Sequence, residues 1–186
     1  MTTKLSASAL PSITTASVPA YDRSALTPGI VHFGVGNFHR AHQAVYLDDL
    51  FATGADHDWA IIGAGVRDAD EAMRQQLLAQ DWLTTVVEQE ADASSARITG
   101  AMIDYIRPGD SAAVIARLAD PATRIVSLTI TEGGYYIDPA SQQFDPTHPD
   151  IAWDAANMNA PRTAFGLILA GLLARRAAGT IPFTVM

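Results

Sequence analysis

The sequence predicts an α/β fold with a doubly wound, mostly parallel sheet and helices on both of its faces. Strand and helix signals alternate along most of the 186 residues, which is typical of consecutive βαβ units. A hydrophobic fraction of 48% at this length supports one folded core, and no internal repeat divides the chain. We therefore expect one globular domain over residues 25–186, preceded by an extended N-terminal arm over residues 1–24.

The elements follow from apolar runs and from the residues that bound them. A buried strand is predicted over 29–34, and a helix follows it to about Thr53, with Gly54 as its stop. A second buried strand covers 58–65. The later predictions are a helix over 68–81, β-rich segments over 82–90 and 95–106, a helix over 110–120, a strand over 123–131, a long loop over 132–150, a helix over 161–179 and a last strand beginning at Ile181.

Composition narrows the classes of partner and location. The net charge of −8 repels phosphate backbones, so we expect no nucleic-acid partner. The chain has no cysteine, which excludes disulfides, thiolate metal sites and cysteine nucleophiles. The N-terminus has no unbroken apolar core and few basic residues, so it predicts a cytoplasmic protein without a secretory signal. The longest apolar run, 164–174, is too short to span a bilayer, so no membrane partner is expected.

The first strand ends in a glycine turn, "HFGVGNFHRAHQ", that a helix follows. In a nucleotide-binding βαβ unit the first glycine permits the turn and the second lets backbone amides approach a pyrophosphate, while the third allows close helix–strand packing. Gly34 and Gly36 occupy the first two places, and His39 stands at the third. The spacing alone is compatible both with a Rossmann-like cofactor site and with an ordinary strand-to-helix turn.

The acid that usually binds the adenosine ribose follows the second strand of such a fold. Asp68 and Asp70 are the first acids after that strand here, and either carboxylate would accept hydrogen bonds from the ribose hydroxyls of NAD. Arg67 beside them suits the 2′-phosphate of NADP, so both cofactors stay open. Alternatively, both acids only cap the helix that they precede.

Three basic residues lie at the start of the first helix. Arg40 is placed to meet a cofactor phosphate, or else it is an exposed surface arginine. His39 and His42 are three positions apart and would share one helix face. No third ligand stands at a sensible spacing, so we predict no metal site.

Three segments together resemble the mannitol dehydrogenase family of polyol-specific long-chain dehydrogenases and reductases. They are "HFGVGNFHRAHQA" (32–44), "RIVSLTITEGGYYID" (124–138) and "RRAAGTIPFTVM" (175–186). The resemblance runs from about Ala20 to the last residue, and the family has a histidine where the third glycine would stand. It implies hydride transfer between NAD(P) and a polyol/ketose pair of the mannitol, arabinitol or hexuronate type, without zinc.

The resemblance also implies which residues contact the cofactor. The glycine turn would line the pyrophosphate and nicotinamide path, and Asp70 would bind the adenosine ribose, which favours NAD. One family pattern has a second acid at the place of Ala69, so NADP stays open. With Arg40 added from the turn itself, the predicted cofactor-binding residues are Gly34, Val35, Gly36, Asn37, Phe38, Arg40, Asp70, Thr131, Glu132 and Gly133.

The resemblance implies that catalysis needs a lysine from a largely helical second domain. The only lysine here is Lys4, in the predicted arm, so no catalytic residue is predicted. The same absence removes a short-chain dehydrogenase, whose chemistry needs a Tyr-x-x-x-Lys pair. We expect the N-terminal NAD-binding portion of a longer polyol dehydrogenase, inactive alone and able to self-associate through the surface that the second domain would cover. A stand-alone NAD(H)-binding or regulatory module and a relic with an unused cofactor site are the alternatives.

Overall fold

Five parallel strands form the central sheet in the computed structural model, which describes residues 4–186 apart from the side chain of Glu132. In chain order the strands are β1 (Pro28–Phe33), β2 (Ala60–Ala64), β3 (Thr84–Gln89), β4 (Ser94–Thr99), β5 (Met102–Ile106), β6 (Ile125–Leu128) and β7 (Thr184–Val185). The sheet has the order β5-β2-β1-β6-β7, and β3 and β4 form a separate antiparallel hairpin. Because β1 pairs with β2 on one side and with β6 on the other, the connections reverse direction beside β1.

Helices cover both faces of the sheet, which confirms the predicted fold class. In chain order they are α1 (Asn37–Ala41), α2 (Gln43–Ala52), α3 (Asp70–Leu78), α4 (Ser111–Ala119), α5 (Pro149–Ala156) and α6 (Ala164–Ala178). Successive strand residues point to opposite faces, and Ile30 and Val31 are both buried because each face has its own apolar core. Ile30 joins Phe51 of α2 in one core, whereas Val31 joins Leu118 of α4 and residues of α6 in the other.

Two predicted elements differ from the structure. The single helix to Thr53 is wrong, because His42 has φ −125° and ψ −82° and separates α1 from α2. The break lets α1 turn His39 towards the sheet while α2 buries Ala44 and Phe51 in the adjoining core. The second difference is α5, which begins at Pro149, inside the predicted loop, with Pro149 in the first turn and His148 as its N-cap.

The predicted N-terminal arm is not uniformly extended, since Ala7–Ser12 form a 3₁₀ helix. Ser17 then forms a parallel bridge to Arg97 of β4. Arg23 donates to the backbone carbonyls of Gly100 at 3.0 Å and Met102 at 3.1 Å, next to β5. Residues 1–3 of the predicted arm lie outside the described residues, and the division of the chain at residue 25 stays a prediction.

The buried guanidinium of Arg175 joins α6 to the end of α4. Only 2% of Arg175 is exposed. Its Nε donates to the carbonyl of Leu118 at 2.7 Å and its Nη1 to that of Ile181 at 2.7 Å, while Nη2 donates to the carbonyls of Asp120 and Thr123. One side chain therefore donates to four backbone carbonyls. Three of them lie at or just after the C-terminal end of α4, and the fourth lies shortly before β7.

Replacing this side chain tests its structural role. We expect Arg175→Met to lower the free energy of unfolding by about 3 kcal/mol, because buried acceptors lose a charged donor. Urea unfolding followed by circular dichroism measures the change. Arg176 is the matched control, since it is the next residue of α6 and is exposed; Arg176→Met should change stability by less than about 0.5 kcal/mol. Equal stability of the two variants would refute this role.

Candidate functional site

A cavity of about 340 Å³ opens at the carboxyl ends of β1, β2 and β6, beside the point where the strand connections reverse. Open α/β sheets bind ligands at this position. The predicted site residues that line it are Gly34, Val35, Gly36, Asp70 and Thr131. The other lining residues are Phe33, Ala64, Val66, Arg67, Ala69, Met73, Tyr105, Thr129, Ile130, Gly134, Tyr136 and Ala164.

The two glycines of the turn are required for different reasons. Gly34 has φ +91°, and a Cβ there would lie 2.6 Å from the backbone oxygen of Thr129, so only glycine fits between β1 and β6. Gly36 has φ −94°, and its nearest contact for a Cβ would be 3.9 Å away, which is ordinary packing distance. Local backbone geometry therefore does not require glycine at position 36, although the position faces the cavity.

The Gly34 carbonyl is held inside the protein. It accepts from the Thr129 hydroxyl at 2.7 Å and from the Gly36 amide at 2.7 Å, and the His32 Nε2 lies 3.2 Å away. In a trans peptide the N–H of the next residue points opposite to the carbonyl. The amide of Val35 therefore points away from these groups, and no acceptor for it occurs among the described residues.

His39 replaces the third glycine by stacking on the first strand. Its ring centroid lies 3.6 Å from that of His32, at an angle of 15°, and both residues are buried. Gln43 Oε1 lies 3.1 Å from His39 Nδ1, and Ser127 Oγ lies 2.8 Å from His32 Nδ1. Helix and strand thus pack through two parallel rings, where other dinucleotide sites use a direct backbone contact.

Burial keeps the stacked rings neutral. It lowers the pKa of His32 to about 4, and burial together with the neighbouring His32 and Arg40 lowers the pKa of His39 to about 3. The predicted shared face of His39 and His42 is wrong, because His42 is exposed and stacks on Phe38 after the helix break. The side chains that the structure describes form no group of three or more metal ligands.

Asp70 organises the loop between β2 and α3. Its Oδ2 accepts from the backbone amides of Val66 and Arg67, each at 3.0 Å. The N-cap of α3 is Ala69 and has no side-chain capping bond, so Asp70 stabilises the loop that precedes its helix. Its other oxygen, Oδ1, has no partner in the described part of the chain, and Asp70 is one of the residues that line the cavity.

Three predicted residues of α1 are absent from the cavity lining that the structure describes. The Nη2 of Arg40 donates to Asn37 Oδ1 at 2.6 Å, and its Nε donates to the carbonyl of Gly36 at 3.3 Å. The side chains of Arg40 and Asn37 therefore bind each other beside the turn. Phe38 is 64% exposed and stacks on His42 at a centroid distance of 4.3 Å.

After β6 the chain passes along the cavity and then leaves it. Thr131 and Gly134 line the cavity, and Glu132–Gly134 form a 3₁₀ turn. Gly133 is exposed and is absent from the lining among the described residues. Tyr136 was not among the predicted site residues, but it lines the cavity and packs its ring edge-on against His148.

Sequence reasoning also missed the polar residues beneath the glycine turn, and it missed Tyr105, which lines the cavity. His32, Ser127 and Thr129 are polar residues in or next to strongly apolar strands, a signal that was available in the sequence. Their partnership depends on the parallel register in which His32 lies opposite Ser127. Tyr105 gave no local signal, because it reaches the cavity only through the pairing of β5 with β2.

A parallel, doubly wound sheet with a glycine turn at its switch point and an acid after the second strand defines a Rossmann-type dinucleotide-binding domain. The family model "Mannitol dehydrogenase Rossmann domain" matches residues 28–186. The chain therefore belongs to the mannitol dehydrogenase family, as the sequence motifs predicted. No helix of the described residues has the length and apolarity that a bilayer crossing requires.

Individual relatives agree with this family. A mannitol 2-dehydrogenase of Cereibacter sphaeroides is 64% identical over 169 residues, which cover 90% of this chain and 35% of the relative. The structure of Pseudomonas fluorescens mannitol 2-dehydrogenase in ternary complex with NAD and D-mannitol has a TM-score of 0.93 and 44% identity, over 99% of this chain and 38% of that one. A substrate-free D-sorbitol dehydrogenase has a TM-score of 0.91 and 39% identity, over 98% and 38%. The chain thus spans about a third of the length of its relatives.

The buried histidine pair predicts a specific pH dependence of stability. An unfolded histidine has a pKa of about 6.5, so between pH 6.5 and 4.5 the unfolded chain binds two protons that the folded chain, with both pKa values depressed, does not. Stability should therefore be full above this window and fall by at most about 5 kcal/mol as the pH drops through it.

Urea unfolding at a series of pH values measures this loss. The variant His39→Phe keeps a ring against His32 but removes one titrating group, so its stability should fall about half as steeply over the same window. An unchanged slope in the variant would contradict the assignment of the pH dependence to the stacked pair.

Proposed function

We propose that this chain binds NAD(H) along the carboxyl edge of its sheet and serves an oxidoreductase that transfers a hydride between NAD(H) and a polyol/ketose pair. The relatives named above are mannitol 2-dehydrogenases and a sorbitol dehydrogenase, one of them solved with NAD and D-mannitol, which supports this proposal. When bound, NAD supplies or accepts the hydride. We propose a mannitol-type substrate first, and arabinitol-type or hexuronate substrates as alternatives.

The observation that carries the proposal is the fit of the glycine turn to a diphosphate. The Val35 amide points away from the buried Gly34 carbonyl and lacks an acceptor among the described residues. Gly36 leaves open space where a side chain would otherwise project. A diphosphate accepts hydrogen bonds from backbone amides and needs close approach to the chain, so both features suit it.

Asp70 supports NAD over NADP as the cofactor. Its Oδ1 lacks a partner among the described residues, and a carboxylate there accepts from ribose hydroxyls but repels a 2′-phosphate. Arg67 lies at the same wall and has the opposite charge, so use of NADP stays part of the proposal as the lesser activity. The other predicted contacts stay part of the proposal; they come from Asn37, Phe38, Arg40, Thr131, Glu132 and Gly133.

The enzymatic role and the partners belong to the whole protein and stay proposals here. Every relative named above is a dehydrogenase, which favours an enzyme over a stand-alone NAD(H)-binding module. A polyol or ketose is the proposed substrate. Self-association, the absence of nucleic-acid and membrane partners, and a cytoplasmic location stay predictions from the sequence.

The variant Gly36→Ala tests the diphosphate site. Because a Cβ at this position meets nothing within 3.9 Å, the variant should fold like the wild type. Its methyl group would occupy the space of the diphosphate, so we expect NADH affinity to fall at least tenfold, or about 1.4 kcal/mol. Titration of NADH, followed by its own fluorescence, measures this affinity.

Gly54→Ala is the matched control for the added methyl group. Gly54 lies after α2 with φ +84° and open space around it. Its variant should lose about 1 kcal/mol of stability through backbone strain, but it should bind NADH like the wild type. Wild-type affinity in Gly36→Ala, or no NADH binding by the unmodified chain up to millimolar concentration, would overturn the proposed site.

The variant Asp70→Ser tests the cofactor preference. Removing the carboxylate should weaken NADH binding by about tenfold, since a charged acceptor is lost, and should leave NADPH binding unchanged or tighter. The ratio of the two dissociation constants is the measured quantity. Asp68→Ser is the control, because Asp68 is an exposed acid two residues earlier; it should leave the ratio unchanged. If Asp70→Ser also preserves the ratio, Asp70 only organises its loop.

A further inference from the structure

Tyr105 is an almost fully buried tyrosine whose hydroxyl stays accessible at the cavity. Tyr105 lies in β5, is 2% exposed and lines the cavity. Its ring packs across Gly63 of β2, where an added Cβ would lie 3.0 Å from the Tyr105 Cγ. Among the described residues, no hydrogen-bond partner occurs for its hydroxyl.

Buried tyrosine hydroxyls in proteins normally have a partner. Tyr21 follows this rule here, since its hydroxyl donates to the buried Asp48 Oδ1 at 2.5 Å. Tyr105 is more buried than most side chains of the chain, yet it lacks such an acceptor in the described part of the protein. Because its hydroxyl is accessible from the cavity, a ligand atom bound there can accept the hydrogen bond that no protein group accepts.

The surroundings of Tyr105 determine which kind of atom it can bind. Burial, followed by the nearby carboxylates of Asp70 and Glu71, raises the pKa of Tyr105 above its ordinary value. The phenol therefore keeps its proton at physiological pH and acts as a hydrogen-bond donor. Its ligand partner must be an acceptor, such as a ring nitrogen or a hydroxyl oxygen.

The position of β5 indicates which part of a dinucleotide reaches this donor. In the sheet order β5-β2-β1-β6-β7, β5 lies beyond β2 on the side away from β6. Tyr105, Asp70 and Met73 share the same cavity, and the end of the second strand is the adenosine half of a Rossmann site. The nicotinamide half would lie on the other side of the glycine turn, towards Thr131.

We infer that the Tyr105 hydroxyl donates a hydrogen bond to the adenosine part of bound NAD(H), either to a purine nitrogen or to a ribose oxygen. This inference rests on the proposed function and assigns Tyr105 to recognition of the adenosine half. The Tyr105 hydroxyl is then a hydrogen-bond donor and Asp70 Oδ1 a hydrogen-bond acceptor for the same adenosine part. A phenylalanine at position 105 would keep the packing on Gly63 and lose only the donor.

The test compares three ligands on the full chain. NADH and AMP both contain the adenosine part, whereas reduced nicotinamide mononucleotide lacks it. We expect Tyr105→Phe to bind NADH and AMP about fivefold to tenfold more weakly, in line with the loss of one hydrogen bond, and to bind the mononucleotide like the wild type. Calorimetric titration measures all three affinities.

Tyr46→Phe is the matched control, because the Tyr46 side chain is 68% exposed and absent from the described cavity lining. It should leave all three affinities unchanged. If the wild type binds NADH and Tyr105→Phe binds it equally well, the inference on Tyr105 is overturned while the proposed function stands. If the wild type binds none of the three ligands, the proposed function itself fails. Equal weakening of NADH and the mononucleotide would also overturn the inference, because the effect would then be a general distortion.

A ligand series makes the test independent of the folding of the variant. AMP analogues that lack one purine nitrogen or the ribose 2′-hydroxyl can be titrated into the wild-type chain. The analogue without the acceptor atom should bind about fivefold to tenfold more weakly than AMP. For the 2′-deoxy analogue this loss should persist in Asp70→Ser, because Asp70 is proposed to bind the same hydroxyl. Undiminished binding of every analogue would overturn the proposed hydrogen bond.

Discussion

The site depends on the way in which the Gly34 carbonyl is bound below the surface. The Thr129 hydroxyl and the Gly36 amide both donate to it, and the close approach of β1 to the chain after β6 leaves no room for a Cβ at Gly34. This arrangement fixes the peptide plane between Gly34 and Val35. The direction of the Val35 amide follows from that plane, and Gly36 next to it has open space where a Cβ would stand. The pairing of β1 with β6 therefore sets the geometry of the glycine turn at which we propose that a diphosphate binds.

The stacked histidines connect this plane to the rest of the domain. His32 is on β1 and also contacts Ser127 of β6, and His39 brings α1 against it through Gln43 at the start of α2. Four elements, β1, β6, α1 and α2, thus meet in one polar cluster beneath the turn. Such a cluster is stabilising only while both rings stay neutral, because a charged ring would be buried without compensation. The buried pair holds the turn in place, and it also makes the stability of the domain sensitive to acid.

Much of the fold could be predicted from local sequence. The apolar runs located the strands that form the sheet, and the glycine spacing with Asp70 identified part of the cavity wall. The arrangement around His42 could not be predicted, because the periodicity of a helix continues through that residue although the backbone does not. Thr129 and Tyr105 were missed for a different reason. The hydrogen bond of Thr129 joins residues 95 positions apart, and the position of Tyr105 depends on strand order, which no local pattern contains.

The contacts of the residues before β1 have a consequence for any shortened form of this chain. The family match begins at Pro28, which would make a start there convenient for recombinant work. Such a start would strip Tyr21 from the buried carboxylate of Asp48 and Arg23 from the carbonyls of Gly100 and Met102. Asp48 would keep Arg97 and the Gly100 amide but lose its hydroxyl partner, and the hairpin of β3 and β4 would be uncovered. The smallest well-behaved expression boundary accordingly lies upstream of Ser17, whose backbone still pairs with β4.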